Sequence, residues 1–191
     1  MIPARGPHRY TYADYAAVER DSPTKHEFLD GEIYAMAGGS EEHSALAVEV
    51  LGVLRDAARD GPCRVHTSDL RIYVEAMGLA TFPDGSVICG PFVQHPPSPN
   101  ATALNPTVLL EVTRDSSEEY DTRDKVEYYR TVPSLRDYVI VSHRERRITV
   151  HSRSTEGAWT TRVAIAGGRV AVESVRTELS VDDIYGKSSI R

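Results

Sequence analysis

Three residues stand out as able to do chemistry together: Asp84, Glu111 and Lys125. Asp84 closes Thr81-Phe82-Pro83-Asp84, just ahead of the apolar pair Val87-Ile88, and Glu111 lies in Thr107-Val108-Leu109-Leu110-Glu111-Val112. A run so rich in leucine and β-branched residues reads as a strand buried on both faces. A carboxylate there is costly to desolvate, so it should be paired, protonated or bound to a cation. Lys125 opens a helical segment downstream. Lysine is scarce here, with Lys25, Lys125 and Lys187 against nineteen arginines. Two carboxylates and an ammonium form a site able to hold Mg²⁺ and activate a water against a phosphodiester. Such a site needs few protein carboxylates, since water and substrate oxygens complete the octahedron, and Mn²⁺ should substitute.

The elements that must position these residues follow from pattern. Thr11 caps a short helix through about Arg20, and strands at His26 to Leu29 and Glu32 to Ala37 flank the hairpin signal Asp30-Gly31. Gly38-Gly39 breaks the second strand. Ser40 caps a long helix whose Leu46, Val50, Leu54 and Ala57 form an apolar stripe, ended by Gly61-Pro62. Strands are expected at Arg64 to Thr67, Leu70 to Val74, Phe82 to Ile88 and Thr107 to Val112, with the proline-rich stretch Gly90 to Pro106 an irregular loop. Asp121 should cap a helix over about Thr122 to Thr131, where Lys125 and Asp121 would form a surface ion pair or Lys125 would face a phosphate. A buried strand at Asp137 to Ser142 precedes a meander at Arg147 to His151, Thr160 to Ala164 and Arg169 to Val172, turning at Gly167-Gly168. Ser180 to Tyr185 reads as a helical turn. The plan is α+β, with a central mixed sheet flanked by helices and a C-terminal β meander.

In order and spacing, Glu27-Phe28-Leu29-Asp30-Gly31, His43, Pro83-Asp84, Glu111-Val112 and Asp121-Thr122-Arg123-Asp124-Lys125 resemble the putative restriction endonuclease family of the PD-(D/E)XK nuclease superfamily. The resemblance runs from about Tyr10 to Tyr185. It implies a restriction-endonuclease-like core and a metal-dependent endonuclease hydrolysing DNA. Asp84, Glu111 and the backbone carbonyl of Val112 would hold Mg²⁺, Lys125 would act on the attacking water, Glu27 would be an accessory acid, and His43 would contact ligand or substrate. Two features depart from the superfamily pattern. Thr113 stands where a lysine is usual, Lys125 resembling the lysine that this family moves to the following helix, and Gly85 suggests a bulge or bend beside Asp84. Both, together with the acidic net charge, favour as the rival reading a nuclease-fold protein of weak or no activity acting as a nucleic-acid-binding or assembly module. A ribonuclease or another phosphoesterase is a third.

Composition bounds the rest. At 191 residues, one domain covering the whole chain is expected. Cys63 and Cys89 are only two and lack CxxC spacing, so neither a zinc site nor a disulfide framework is indicated. Met1 to Tyr12 has no signal-like apolar stretch and no segment is long enough to span a bilayer, which makes the cytoplasm the default. A net charge of −6 argues against a basic nucleic-acid coat, although Arg144, Arg146, Arg147 and Arg153 could touch phosphates or simply rim an exposed hairpin. A homodimer would suit an enzyme that cuts both strands.

Overall fold

A computed structural model describes residues 9–96 and 101–191. The elements run, in chain order, α1 (Tyr12–Asp21), β1 (His26–Leu29), β2 (Glu32–Ala35), α2 (Glu41–Ala58), β3 (Cys63–Thr67), β4 (Arg71–Val74), β5 (Leu79–Thr81), β6 (Gly85–Cys89), β7 (Thr102–Ala103) and β8 (Val108–Val112). A π-helical turn at Tyr120–Asp124 then leads into α3 (Lys125–Arg130), followed by β9 (Asp137–Val141), β10 (Arg147–Arg153), β11 (Trp159–Ile165), β12 (Arg169–Val172), β13 (Thr177–Ser180) and α4 (Val181–Ile184).

A six-stranded sheet in the order β11-β10-β9-β8-β6-β3 forms the centre, mixed because β8 and β9 run parallel while its other pairs are antiparallel. Both faces are covered. Leu46, Val50 and Leu54 of α2 pack with Val87, Leu110, Val112 and Val139, together with Val170, Val172 and Leu179 of the β12–β13 hairpin. On the other side, Val126 and Tyr129 of α3 meet Leu109, Tyr138 and Ile140, with Ile72, Val74 and Leu79 from a second sheet ordered β2-β1-β5-β4-β7. This two-sided burial accounts for the unbroken apolar run of β8. Period-two alternation sends Val108, Leu110 and Val112 toward α2, and leaves Leu109 and Glu111 on the α3 side.

The architecture is the expected α+β mixed sheet with a C-terminal strand hairpin, but several elements differ. The strand expected over Phe82 to Ile88 begins only at Gly85, as β6; residues 82–84 link it to β5, an unforeseen strand that ends at Thr81 in the other sheet. Pro83 cannot donate to a ladder, so the chain changes sheets there. The proline-rich stretch is not wholly irregular, since Thr102–Ala103 pairs in parallel with β4; its residues 97–100, like residues 1–8 of the N-terminal reading, lie outside the described residues. The meander does not continue through β12, which pairs instead with the unforeseen β13. Gly85 makes no bulge. It pairs in register with Thr67 and Leu110, and a Cβ there would sit 2.5 Å from Leu51 Cδ2, so glycine admits the close approach of α2. The cysteine expectation is overturned: Cys63 and Cys89 face each other across β3 and β6 and form a disulfide, a pairing set by strand register that spacing alone does not reveal. Among the described residues no helix is long and apolar enough to cross a membrane.

Candidate functional site

The chain passes from one sheet to the other at Phe82-Pro83-Asp84, and the predicted acids collect at that seam. Asp84 stands one residue before β6. Its Oδ2 accepts the N–H of Val112 at 2.8 Å, which extends the β6–β8 pairing by a side chain after the main-chain ladder ends. His43 Nε2 lies 3.0 Å from the same oxygen, and Arg114 Nη2 lies 3.6 Å from Oδ1. His43 reaches Asp84 because Ser40 Oγ accepts its backbone N–H at 3.2 Å, starting α2 beside the seam. Gly39 makes room for the ring, since a Cβ there would be 2.6 Å from Nδ1. Arg114 Nε donates to His43 Nε2 at 3.2 Å. One nitrogen cannot both accept from Arg114 and donate to Asp84, so the His43 tautomer chooses between the two.

Glu111, 3 % exposed, forms the second half of the site. Its Oε1 accepts from Lys125 Nζ at 2.9 Å and from the Tyr129 hydroxyl at 3.0 Å. Lys125 Nζ also lies 3.2 Å from Glu27 Oε1 and 3.0 Å from Asp121 Oδ1. Glu27 comes from β1 of the second sheet, where Thr81 Oγ1 of β5 donates to it. Asp121 accepts from Ser117 Oγ at 2.6 Å, and its carbonyl accepts from the Tyr138 hydroxyl at 2.9 Å.

The ion pair with Asp121 is therefore not on the surface, and Asp121 is not a helix cap. Both residues are buried, because the wide turn at Tyr120–Asp124 carries Asp121 inward ahead of α3. Lys125 does open that helix, but it points at three carboxylates and not at open solvent.

Three acids around one ammonium leave excess negative charge in a dry place. Burial pushes Glu111 up to about 8, with Asp121 and Asp84 adding to the rise and Lys125 opposing it. Burial alone would lower Lys125, yet Glu111, Glu27 and Asp121 outweigh it and hold the ammonium well above its ordinary value. Tyr129 and Tyr138 are also raised well above theirs, first by burial and then by Glu111, so they act as hydroxyl donors.

Two openings reach this arrangement. A cavity of about 240 Å³ touches Glu27, Glu111, Asp121 and Lys125, and one of about 470 Å³ touches His43 and Asp84. Met36, Ala37 and Arg114 line both.

The structure thus brings together Glu27, His43, Asp84, Glu111, Val112 and Lys125, all expected from sequence. Sequence reasoning missed Asp121 as a member of the cluster, although its i,i+4 spacing to Lys125 was the available signal. It also missed Thr81, Arg114 and Tyr129, for which no local pattern exists. Thr113, at the usual lysine position, is buried and structural: its Oγ1 accepts the His143 N–H at 3.1 Å and lies 2.8 Å from His143 Nδ1. The arginine cluster is largely occupied. Arg144 pairs with Asp115 and Glu118, Arg147 with Glu145, and Arg146 and Arg153 donate to backbone carbonyls, as an ordinary hairpin rim would.

Similarity to known proteins gives the family of the chain. A crystal structure of a putative nuclease belonging to DUF820 from Anabaena variabilis ATCC 29413 superposes with a TM-score of 0.75 at 17 % identity, covering 92 % of this chain and 97 % of that one, and so shares the fold. Uncharacterized protein slr1290 of Synechocystis is 32 % identical over 172 residues, 90 % of this chain and 89 % of the relative. Uncharacterized protein sll1609 of the same organism is 26 % identical over 149 residues, 78 % of this chain and 84 % of the relative. The family model for Uma2, the putative restriction endonuclease family, matches residues 12–182, and the chain belongs to that family.

Proposed function

We propose that this protein is a divalent-metal-dependent endonuclease that hydrolyses DNA phosphodiester bonds. One observation carries the reading: Glu27, Glu111 and Asp121 converge on Lys125, with Asp84 close enough to raise Glu111, beside cavities open to solvent. Three buried acids share a single ammonium, so a further positive charge beside them would be stabilised.

The donor set suits Mg²⁺. Among the described residues no three His, Cys, Asp or Glu form a ready-made cage, but this ion asks for only one or two carboxylates and keeps its waters. Asp84 and Glu111 would hold it with the carbonyl of Val112. The hydrogen bonds to Glu111 fall on Oε1 and those to Asp84 on Oδ2. When bound, the ion would lower the pKa of a water and offset charge on the phosphoryl oxygens.

The remaining work belongs to the chain. Tyr129 and Lys125 hold Glu111 in one orientation, Val112 N–H fixes Asp84, and Thr81 fixes Glu27. Lys125 donates to Glu111 and lies at ion-pair distance from Glu27 and Asp121, so three carboxylates already surround the ammonium that would act on an attacking water. That enclosure of the ammonium favours a second reading, a nuclease-fold module that binds nucleic acid without cutting it.

Supercoiled plasmid incubated with wild type or Asp84→Ala protein in Mg²⁺, Mn²⁺ or EDTA separates the two. Cleavage by wild type with either metal, lost with EDTA and in the variant, is the expected result. Absence of metal-dependent cleavage by pure, folded wild type would favour the binding module.

A further inference from the structure

We propose that Arg114 is the residue through which this site grips a nucleic-acid phosphate, an inference that rests on the nuclease reading above. Arg114 follows β8 and lines both openings, so its guanidinium stands at the seam that a backbone phosphate must approach to reach Asp84 or Glu111.

Donor supply singles it out. Among the described residues, three cationic side chains line the two cavities: Lys25, Arg114 and Lys125. Lys25 Nζ meets Ser68 O at 2.7 Å, Ser68 Oγ at 3.3 Å and Asp69 Oδ1 at 2.9 Å. Lys125 Nζ meets Glu27, Glu111 and Asp121. An ammonium has three N–H donors: those of Lys25 are all taken, and Lys125 donates to Glu111 with Glu27 and Asp121 at ion-pair distance, buried away from an incoming phosphate. A guanidinium has five. Arg114 commits Nη1 to the Ala37 carbonyl and, in one His43 tautomer, Nε to His43, while Nη2 faces Asp84 Oδ1 at 3.6 Å, beyond hydrogen-bond length. The fork is thus held in place on one side and keeps donors on the other, the geometry suited to two phosphate oxygens. It is 22 % exposed, accessible where Lys125 is not.

A purely structural role makes a different forecast. A brace between Ala37, His43 and Asp84 would change stability on removal and leave the salt dependence of nucleic-acid binding untouched, because no counterion is displaced from DNA by a residue that never meets a phosphate.

The test is fluorescence anisotropy of a labelled duplex oligonucleotide with wild type, Arg114→Ala and Arg114→Lys proteins in Ca²⁺, across a range of salt. Arg59→Ala, an exposed arginine paired with Asp56 at the far end of α2, serves as control. Loss of the contact should weaken binding about tenfold, as for a charge-assisted hydrogen bond, and should reduce the slope of log K against log salt by about 1. Arg114→Lys should keep the slope, because the charge stays, while losing part of the affinity with the fork. The control should match wild type. A folded Arg114→Ala protein with wild-type affinity and slope would overturn the proposal. If the alanine variant does not fold, a lysine variant with wild-type affinity at every salt concentration overturns it equally. Failure of wild type itself to bind the duplex would remove the nuclease reading, and this proposal with it.

Discussion

Lys125 is best understood through what it neutralises. A surface pair with Asp121 would contribute less than about 1 kcal/mol. Here the ammonium is 4 % exposed and faces three carboxylates, so removing it strands buried negative charge, which costs about 3–5 kcal/mol when one partner of a buried pair is lost. Lys125→Met should accordingly lower unfolding free energy by that amount in denaturant titration at neutral pH. A loss below about 1 kcal/mol would return the residue to the surface reading. Glu111 makes a complementary forecast. Its folded-state pKa, about 8, lies above the ordinary 4.5, so the folded form keeps a proton that the unfolded chain gives up. The stability this supplies is complete below the ordinary value and is lost as pH rises through the folded one. In EDTA, Glu111→Gln should remove a fall in melting temperature that wild type shows between about pH 5 and about pH 8. Parallel pH profiles for the two proteins would show that Glu111 ionises normally.

At the scale of elements, legibility followed locality. The Thr11 and Ser40 caps, the Asp30-Gly31 hairpin and the apolar run of β8 were readable because each signal lies within a few residues. The change of sheet at Pro83, the pairing of β12 with β13 and the burial of Asp121 were not, because each is decided by partners distant in sequence. The disulfide belongs with these. Cys63 and Cys89 meet only because β3 and β6 pair in one register, 26 positions apart in the chain. A cross-link of this kind typically contributes about 2–4 kcal/mol. Reduction followed by alkylation should shift the denaturation midpoint accordingly, while Mn²⁺ affinity stays unchanged because Cys89 and Asp84 flank opposite ends of β6. Two titratable thiols in the native, unreduced protein would contradict the pairing.

Across the whole molecule, the site is a junction. Asp84 and Glu111 come from the central sheet and its seam, Glu27 from the second sheet, Lys125 from the helix between them and His43 from the helix on the opposite face. The net charge of −6 includes this acid cluster, so overall acidity and a nucleic-acid substrate are compatible once a cation fills the site. The proposed activity depends on that cation. Isothermal titration of Mn²⁺ into wild type and the Asp84→Ala, Glu111→Ala double variant tests it most directly. The expected result is saturable binding by wild type that is lost in the double variant while its fold persists by circular dichroism. Equal heats for the two proteins would contradict a metal site at Asp84 and Glu111.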